Sequence, residues 1–229
     1  MLDISGLCVS YGESRIINDL NMRIGENEIV AIVGRNGMGK TTLMKSLVGM
    51  HPSSAGSIRL GGQDLAPLQS YQRVRAGIGF VPQGRMIFST MTVRENIETG
   101  LSASGEKHIP EHLYELFPVL RDMRSRRGGN LSGGQQQQLA IARALAGKPK
   151  VLLLDEPTEG IQPSIIHELA RTLRRIRDEH GLSIIVSEQV LSFVLDVADR
   201  VLVMEKGALV HEAERAAIDE QVIAGFLSV

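Results

Sequence analysis

The sequence has little that would tie it to an oxidising compartment, a metal cluster or a membrane span. Cys8 is the only cysteine among 229 residues, so neither a disulfide framework nor a cysteine metal cluster can form within one chain. No apolar run approaches the roughly 18 residues that a spanning helix needs. No charged-then-apolar leader opens the chain. We therefore expect a cytosolic chain that reaches a membrane only through a partner.

An excess of charge and a histidine metal site are also missing. The net charge is −1, so no broad nucleic-acid-binding face is indicated and we expect no nucleic-acid partner. His108 and His112 have the spacing of a helical metal pair, but Pro110 interrupts the helix that would pair them. The length and the hydrophobic content of 43% are ordinary for one globular domain, 1–229.

Short apolar runs alternate with helical patterns over most of the chain. This alternation predicts an α/β fold with a mostly parallel sheet covered on both faces, whose ligands bind beyond the carboxyl ends of the strands. Residues 1–33 are strand-rich, with Gly6, Gly12 and Gly25 as turn candidates. The other predicted strands are Ile58–Leu60, Ile78–Val81, Val151–Leu154, Ser183–Val186 and Arg200–Met204.

The regular spacing of strands is lost from about residue 84. Short amphipathic segments, Val93–Ile97 and His112–Leu116, predict a helical subdomain at about 84–145, inserted into a core formed by 1–83 and 146–229. A helix is predicted from Gln135 to Ala146, and further helices after Pro163 and at the end of the chain. The breaks within the subdomain are expected at Gly100, Gly105, Pro110 and Pro118.

A glycine-rich motif follows the apolar run Ile29–Val33. It has the pattern G-x-x-x-x-G-K-T of a phosphate-binding loop, and a helical pattern follows it, as the motif requires. Lys40 would reach the β- and γ-phosphates, and the Thr41 hydroxyl would hold Mg²⁺. A simple glycine-rich turn is the alternative. The predicted nucleotide-binding residues are Gly34, Arg35, Asn36, Gly37, Met38, Gly39, Lys40, Thr41 and Thr42.

Two carboxylates end the apolar run Val151–Leu154. Adjacent residues of an extended strand point in opposite directions, so we expect each carboxylate to face a different atom. Asp155 would bind Mg²⁺, and Glu156 would orient the water that attacks the γ-phosphate or accept its proton. An ordinary solvated pair at a strand end is the alternative.

A second helix start prepared for phosphate lies at 131–135. Ser132 followed by Gln135 is a capping box, and the two glycines between them expose backbone donors at the positive end of a helix. One chain cannot readily enclose a single triphosphate with both helix starts, so we predict a head-to-tail dimer in which each chain completes the other's site. The residues concerned are Leu131, Ser132, Gly133, Gly134 and Gln135.

In their order along the chain, the motifs Gly34–Thr42, Leu131–Gln135 and Val151–Glu156 resemble those of the ATPase subunit of ABC transporters. The resemblance covers essentially the whole chain. It implies a P-loop NTPase fold of the ABC ATPase type, with an N-terminal antiparallel β subdomain and an inserted helical subdomain. It also implies ATP and Mg²⁺ as cofactors, and ATP hydrolysis coupled to transport.

The resemblance assigns further roles. Tyr11 would stack on adenine, although a half-buried strand tyrosine is the alternative. Gln83 would contact Mg²⁺ and the attacking water, and the segment after it would contact a permease. Two positions depart from the family pattern: Gln189 stands where the switch histidine is usual, and Gln162 stands where an aspartate is usual. Glu156 and Gln189 are thus the predicted catalytic residues, and Thr41, Gln83 and Asp155 the predicted metal-binding residues.

The subfamily follows from the same resemblance. The string Glu156–Pro163 and the pair Glu188–Gln189 resemble the importers of branched-chain amino acids and of urea or short amides, and 81–85 and 135–138 resemble the urea-type subunit. The implied partners are integral-membrane permease subunits, a second ATPase subunit or a second copy, and, indirectly, a periplasmic binding protein. The chain would then lie peripherally on the cytoplasmic face of the membrane.

Two other functions compete with this reading. A soluble ABC ATPase acting on DNA, ribosomes or iron–sulfur assembly is disfavoured by the single cassette, by the lack of a long coiled-coil insertion and by the net charge. A P-loop kinase or GTPase would leave Leu131–Gln135 unexplained.

Overall fold

The structure is a computed structural model that describes residues 1–227, and it contains two β-sheets. The strands are β1 Leu2–Tyr11, β2 Ser14–Ile24, β3 Ile29–Val33, β4 Ala55–Leu60, β5 Gln63–Asp64, β6 Ile78–Val81, β7 Val151–Asp155, β8 Ser183–Glu188, β9 Arg200–Glu205 and β10 Ala208–Glu214. The helices are α1 Lys40–Val48, α2 Ser70–Ala76, α3 Val93–Ser104, α4 Glu111–Leu116, α5 Pro118–Asp122, α6 Gly133–Leu145, α7 Pro163–His180, α8 Leu191–Val197 and α9 Glu220–Leu227.

The larger sheet has six strands in the order β10-β9-β3-β8-β7-β6. All neighbouring pairs are parallel except β10 with β9, so the predicted mostly parallel sheet is confirmed. Every residue of β3 and β7 is buried, because the two faces of the sheet pack against different clusters. Leu152 packs in the cluster that contains α6 and α7, whereas Leu153 packs in the cluster that contains α1. The edge strand β10 was not predicted, because its sequence neither alternates regularly nor forms a long apolar run, and of its side chains only that of Ala213 is buried.

The smaller sheet is entirely antiparallel, in the order β2-β1-β4-β5, which confirms the N-terminal antiparallel β subdomain. Gly6 is not a turn residue as predicted. It lies within β1 with φ of +60°, where the register shifts between Ile4 and Leu7, and its N–H donates to the Asn21 side chain. Leu7 and Ile4 are buried against α1, so this sheet covers the helix that carries the phosphate-binding motif.

Helices α3 to α6 occupy the chain between β6 and β7, which is where the helical subdomain was predicted. Its proposed limits at about 84 and 145 stay a prediction. The break expected at Gly100 is not found: α3 continues through this residue to Ser104. A Cβ atom there would overlap the carbonyl oxygen of Arg143, so this glycine lets α3 lie directly on α6. Within residues 1–227, no helix is both long and apolar enough to cross a bilayer.

Candidate functional site

A cleft of about 450 Å³ opens at the carboxyl end of the parallel strands. The sequence-predicted residues Asn36, Gly37, Gly39, Lys40, Thr41 and Thr42 line it together with Tyr11, Ile16, Gln83 and Glu156. Residues from four separate parts of the chain thus converge at one place, as the site hypothesis requires.

The remaining residues of the phosphate-binding motif do not line this cleft. Gly34 packs against β9, where a Cβ atom would overlap the carbonyl oxygen of Met204. Arg35 and Met38 line a neighbouring pocket beside β9 and α9, and the Met38 sulfur accepts a hydrogen bond from the Lys206 N–H at 3.3 Å. Gly34 and Met38 thus pack the loop against β9 and the residues that follow it.

The start of α1 has no side-chain cap in the described structure. Gly39 occupies the cap position with φ of +109°, and Gly37 also has a positive φ of +79°. L-residues rarely adopt such backbone conformations, which explains both glycines. The first N–H groups of α1 therefore remain available at the positive end of a nine-residue helix.

Lys40, the first residue of α1, has a side chain only 4% exposed. Its ammonium donates to the carbonyl oxygens of Gly34 at 2.6 Å and Arg35 at 3.1 Å, and lies 3.6 Å from a carboxylate oxygen of Glu156. Burial lowers the pKa of Lys40, and the nearby carboxylates of Glu156 and Asp155 oppose that shift. A phosphate would compete with these partners for a charge that is already desolvated.

Asp155 ends β7 and is buried, at 2% exposure. Its Oδ1 atom accepts hydrogen bonds from the Thr41 hydroxyl at 3.2 Å and from the Ser187 hydroxyl. Burial raises the pKa of Asp155, while both hydrogen bonds act to lower it. A hydroxyl and a carboxylate are the hard oxygen ligands that Mg²⁺ prefers, and Mg²⁺ commonly takes its other ligands from phosphate and water. The residues present therefore fit a magnesium ion.

Glu156 departs from the expected geometry. It lies outside β7 with φ of +47°, so the argument from alternating strand directions was wrong for this residue. The chain turns at Glu156, so both carboxylates face the start of α1. Glu156 contacts Lys40 there, whereas Asp155 contacts Thr41. A non-glycine residue in this backbone region is typical of a functional site that its surroundings hold in place.

Both oxygens of Glu156 are engaged by amide donors. The Gln83 side chain donates to Oε2 at 3.2 Å, and the Gln189 side chain donates to Oε1 at 2.9 Å. The Gln189 amide also donates to Asn36 of the phosphate-binding loop at 2.8 Å. The three residues predicted to act around the attacking water, Gln83, Glu156 and Gln189, are thus in direct contact.

Tyr11 lies at the end of β1 with 46% of its surface exposed. Its ring stacks on that of His51, with centroids 4.1 Å apart, and the His51 Nε2 atom lies 2.9 Å from the Ser10 carbonyl oxygen. Its assigned contact with adenine stays a prediction. His51 was not predicted, because a single histidine after a helix carries no sequence signal.

The segment 131–135 does not line the cleft of its own chain. The capping box is confirmed: the Gln135 N–H donates to the Ser132 hydroxyl at 3.4 Å, and the Ser132 N–H donates to the Gln135 side chain at 3.0 Å. This cap starts α6 at Gly133, two residues before the predicted start. Gly133 also packs against the Gly160 carbonyl, where a Cβ atom would lie at 2.8 Å, so close packing is a further reason for glycine.

Sequence reasoning missed a group of residues at the end of β8. This strand continues through Ser187 and Glu188, whereas the prediction ended it at Val186. Ser187 bonds to Asp155, and Glu188 bonds to Thr158 in the loop after Glu156. An acid that directly follows a predicted apolar strand and precedes Gln189 is the sequence signal that could have pointed to them.

The comparisons with known proteins agree with this geometry. A family model described as ABC transporter matches residues 17–159. The high-affinity branched-chain amino acid transport ATP-binding protein BraG of Pseudomonas aeruginosa is 38% identical over 221 residues, or 95% of this chain and 94% of that protein. The lipopolysaccharide export system ATP-binding protein LptB of Escherichia coli is 34% identical over 229 residues, covering 96% and 94%. The structure of a nucleotide-free ATP-binding cassette from an ABC transporter superposes with a TM-score of 0.82 at 25% identity, covering 98% and 95%.

The match to the family model covers more than half of the chain, and the two curated relatives align with nearly all of it. Cassettes of this family bind ATP with Mg²⁺, hydrolyse it, dimerise and work with membrane permease subunits. The chain belongs to the ABC transporter family, as an ATP-binding subunit with ATPase activity.

Proposed function

We propose that this chain energises the import of a small polar solute, as a peripheral ATPase on the cytoplasmic face of a membrane. The observation that carries the ATPase part of the proposal is the convergence of Lys40, the Thr41–Asp155 pair and Glu156 at one cleft, and import is argued from relatives below. These are a charge for the triphosphate, oxygen ligands for Mg²⁺ and a base for water, at the start of one helix.

In this proposal each side chain has one task. The loop Gly34–Thr42 holds the phosphates, with Lys40 on the β- and γ-phosphates, and Tyr11 stacks on the adenine. Thr41, Asp155 and the Gln83 side-chain oxygen would hold Mg²⁺, which supplies positive charge to the phosphate oxygens.

Glu156 orients the attacking water or accepts its proton. Its carboxylate is held by Gln83 on one oxygen and by Gln189 and Lys40 on the other. Because a triphosphate attracts the Lys40 ammonium, phosphate binding would remove that contact from one oxygen of Glu156, and the oxygen would become free for water once the Gln189 amide also turns away. Gln189 can then donate to the γ-phosphate, but without the charge that a protonated histidine could bring.

The second half of the site would come from another chain. Leu131–Gln135 lies outside the cleft of its own chain, and a head-to-tail pair would place this segment over the neighbour's nucleotide. The neighbour is a second copy or a different ATPase subunit whose switch position carries histidine.

The proposed permease contact is the segment after Gln83. Met86 and Phe88 are exposed by 64% and 48%, and buried Asn96 of α3 fastens this segment by accepting from the Phe88 N–H at 2.8 Å and donating to its carbonyl at 3.0 Å. Arg85, the one charged residue close to this exposed pair on its N-terminal side, donates to the Glu159 carbonyl within the chain. The exposed apolar side chains, not this charge, are therefore our candidates for docking.

The transported solute is argued from relatives, since no residue here contacts it. The 38% identity to BraG favours branched-chain amino acids, ahead of the urea or short amides suggested by 81–85 and 135–138. The 34% identity to LptB makes export a competing direction.

One experiment separates these functions. The chain is copurified from its native membranes, and the captured permeases are reconstituted in liposomes with the binding protein. ATP-driven uptake of labelled leucine supports the first candidate, and uptake of labelled urea supports the second; the Lys40→Ala protein serves as the inactive control. Copurification with no membrane protein would contradict import. So would ATP-driven transport of the solute only away from the compartment that contains ATP.

A further inference from the structure

Glu188 is a buried carboxylate to which the site described above gives no role. It ends β8 with 2% of its surface exposed. One of its oxygens accepts from the Thr158 N–H at 3.0 Å and from the Thr158 hydroxyl. The other accepts from the N–H groups of Gln189 at 2.7 Å and Val190 at 3.1 Å. Within residues 1–227 Glu188 forms no ion pair, so these four donors are what compensate its burial.

The four donors belong to the two segments that carry the proposed catalytic residues. Thr158 follows Glu156 by two residues, and Gln189 follows Glu188 directly. The side chains of Glu156 and Gln189 meet at 2.9 Å, and the Glu188 carboxylate connects the two segments on which they lie, through Thr158 on one side and Gln189 and Val190 on the other. Hydrogen bonds to an ionised acceptor are roughly twice as strong as neutral ones, so this connection is firm.

We propose that Glu188 is a positioning residue that fixes the separation of Glu156 and Gln189. It does not line the cleft, and it acts only through the two segments it connects. The inference rests on the proposed function, because it assumes that Glu156 and Gln189 act on the attacking water and the γ-phosphate.

The negative charge is essential to this role. Two carboxylate oxygens can accept all four donors, whereas a glutamine offers one oxygen and turns an amide toward the N–H groups that the second oxygen had accepted. Glu188→Gln therefore keeps the shape and separates one segment from the other. A shift of about 1 Å in a catalytic group can cost on the order of 100-fold in rate.

The test measures ATP hydrolysis by the full chain in single-turnover and steady-state assays. We expect Glu188→Gln to lower kcat by about 10- to 100-fold while KM for ATP stays within about twofold. The matched control is Glu179→Gln, the same change at an exposed ion pair near the end of α7, which should leave both constants unchanged. A folded Glu188→Gln protein with the wild-type kcat, or with a raised KM alone, overturns the proposal.

A second pair of variants covers the case in which Glu188→Gln does not fold. Thr158→Val removes the hydroxyl donor and keeps the shape, whereas Thr158→Ser keeps the donor. We expect kcat to fall severalfold in Thr158→Val and to be largely retained in Thr158→Ser, because the hydroxyl and not the methyl group holds the loop. Equal rates in both variants and in wild type overturn the inference alone. Wild-type protein that binds ATP but never hydrolyses it overturns the proposed function, and with it this role.

Discussion

The starts of α1 and α6 look alike in sequence and differ in structure. Each has glycines beside its first turn, and both were predicted to bind phosphate with backbone donors. At α1 the cap residue is Gly39, which offers no side chain, and the first turn faces the cleft. At α6 the cap residue is Ser132, which satisfies the Gln135 N–H within its own chain, and this turn lies outside the cleft.

The difference shows how one fold can prepare two phosphate contacts for different moments. The uncapped start of α1 can accept phosphate in a single chain, since its donors are already free and its lysine already buried. The capping box stabilises the start of α6 without phosphate. This helix start can therefore remain folded before it contacts the nucleotide bound to a second chain.

The largest effect is expected from Lys40→Ala, which removes the buried charge at α1. ATP affinity should fall by at least about 100-fold with the fold intact, because no other cation lies within the motif facing the cleft among residues 1–227. Calorimetric titration with ATP measures the change. Lys45→Ala, one turn further along the same helix, is the control and should bind as wild type does. Wild-type affinity for Lys40→Ala would remove α1 as the primary site.

Glu156→Gln should slow hydrolysis on the order of 100-fold and trap the dimer that brings α6 to a neighbour's nucleotide. Glutamine keeps the shape of the side chain and loses its basicity. Light scattering with ATP and Mg²⁺ should show a dimer that disappears when ATP is removed. If the variant stays strictly monomeric at high protein concentration, the chain does not form a homodimer. A heterodimer with a different ATPase subunit is then the remaining arrangement.

Gln189→His should raise the rate of the isolated chain, and Gln189→Ala should lower it, each by roughly tenfold. The amide of Gln189 now connects Asn36 of the α1 loop with Glu156, so the alanine variant loses both contacts. Single-turnover assays with saturating ATP report this step. If all three proteins react at one rate, Gln189 has no contact with the γ-phosphate.

Ser132→Ala should have the smallest effect of the substitutions at these four positions. It tests whether the side chain that caps α6 also contributes to ATP-dependent dimerisation. Loss of the cap should cost about 1 kcal/mol of unfolding free energy, with ATP affinity of the single chain unchanged. Thr92→Ala at the start of α3 is a matched control, because Thr92 and Glu95 form the same capping box away from the cleft. Only Ser132→Ala should weaken ATP-dependent dimerisation of the Glu156→Gln protein. If Ser132→Ala and Thr92→Ala, each combined with Glu156→Gln, dimerise equally, the Ser132 hydroxyl serves only as a cap.

Much of the fold was predictable because burial on both faces leaves uninterrupted apolar runs. Ile29–Val33 and Ile78–Val81 were predicted with the bounds that the structure has, and the phosphate-binding motif followed in the expected context. The errors occur where tertiary contacts decide. The backbone of Glu156 and the continuation of α3 through Gly100 depend on Ser187 and Arg143, which are distant in sequence. Glu188 was noted only as part of a subfamily pattern, and its contacts were not predicted because its four donors come from two loops that only folding brings together.

The contact of Gly100 with the Arg143 carbonyl also has a mechanical consequence. It joins α3 to α6 without room for side chains to slide between them, and Asn96 attaches the exposed Met86–Phe88 segment to the same helix. The exposed segment, α3 and α6 are therefore joined by a backbone contact and by one buried side chain, and Ser132 caps the start of α6. We expect a force applied at Phe88 to reach the start of α6 by this route.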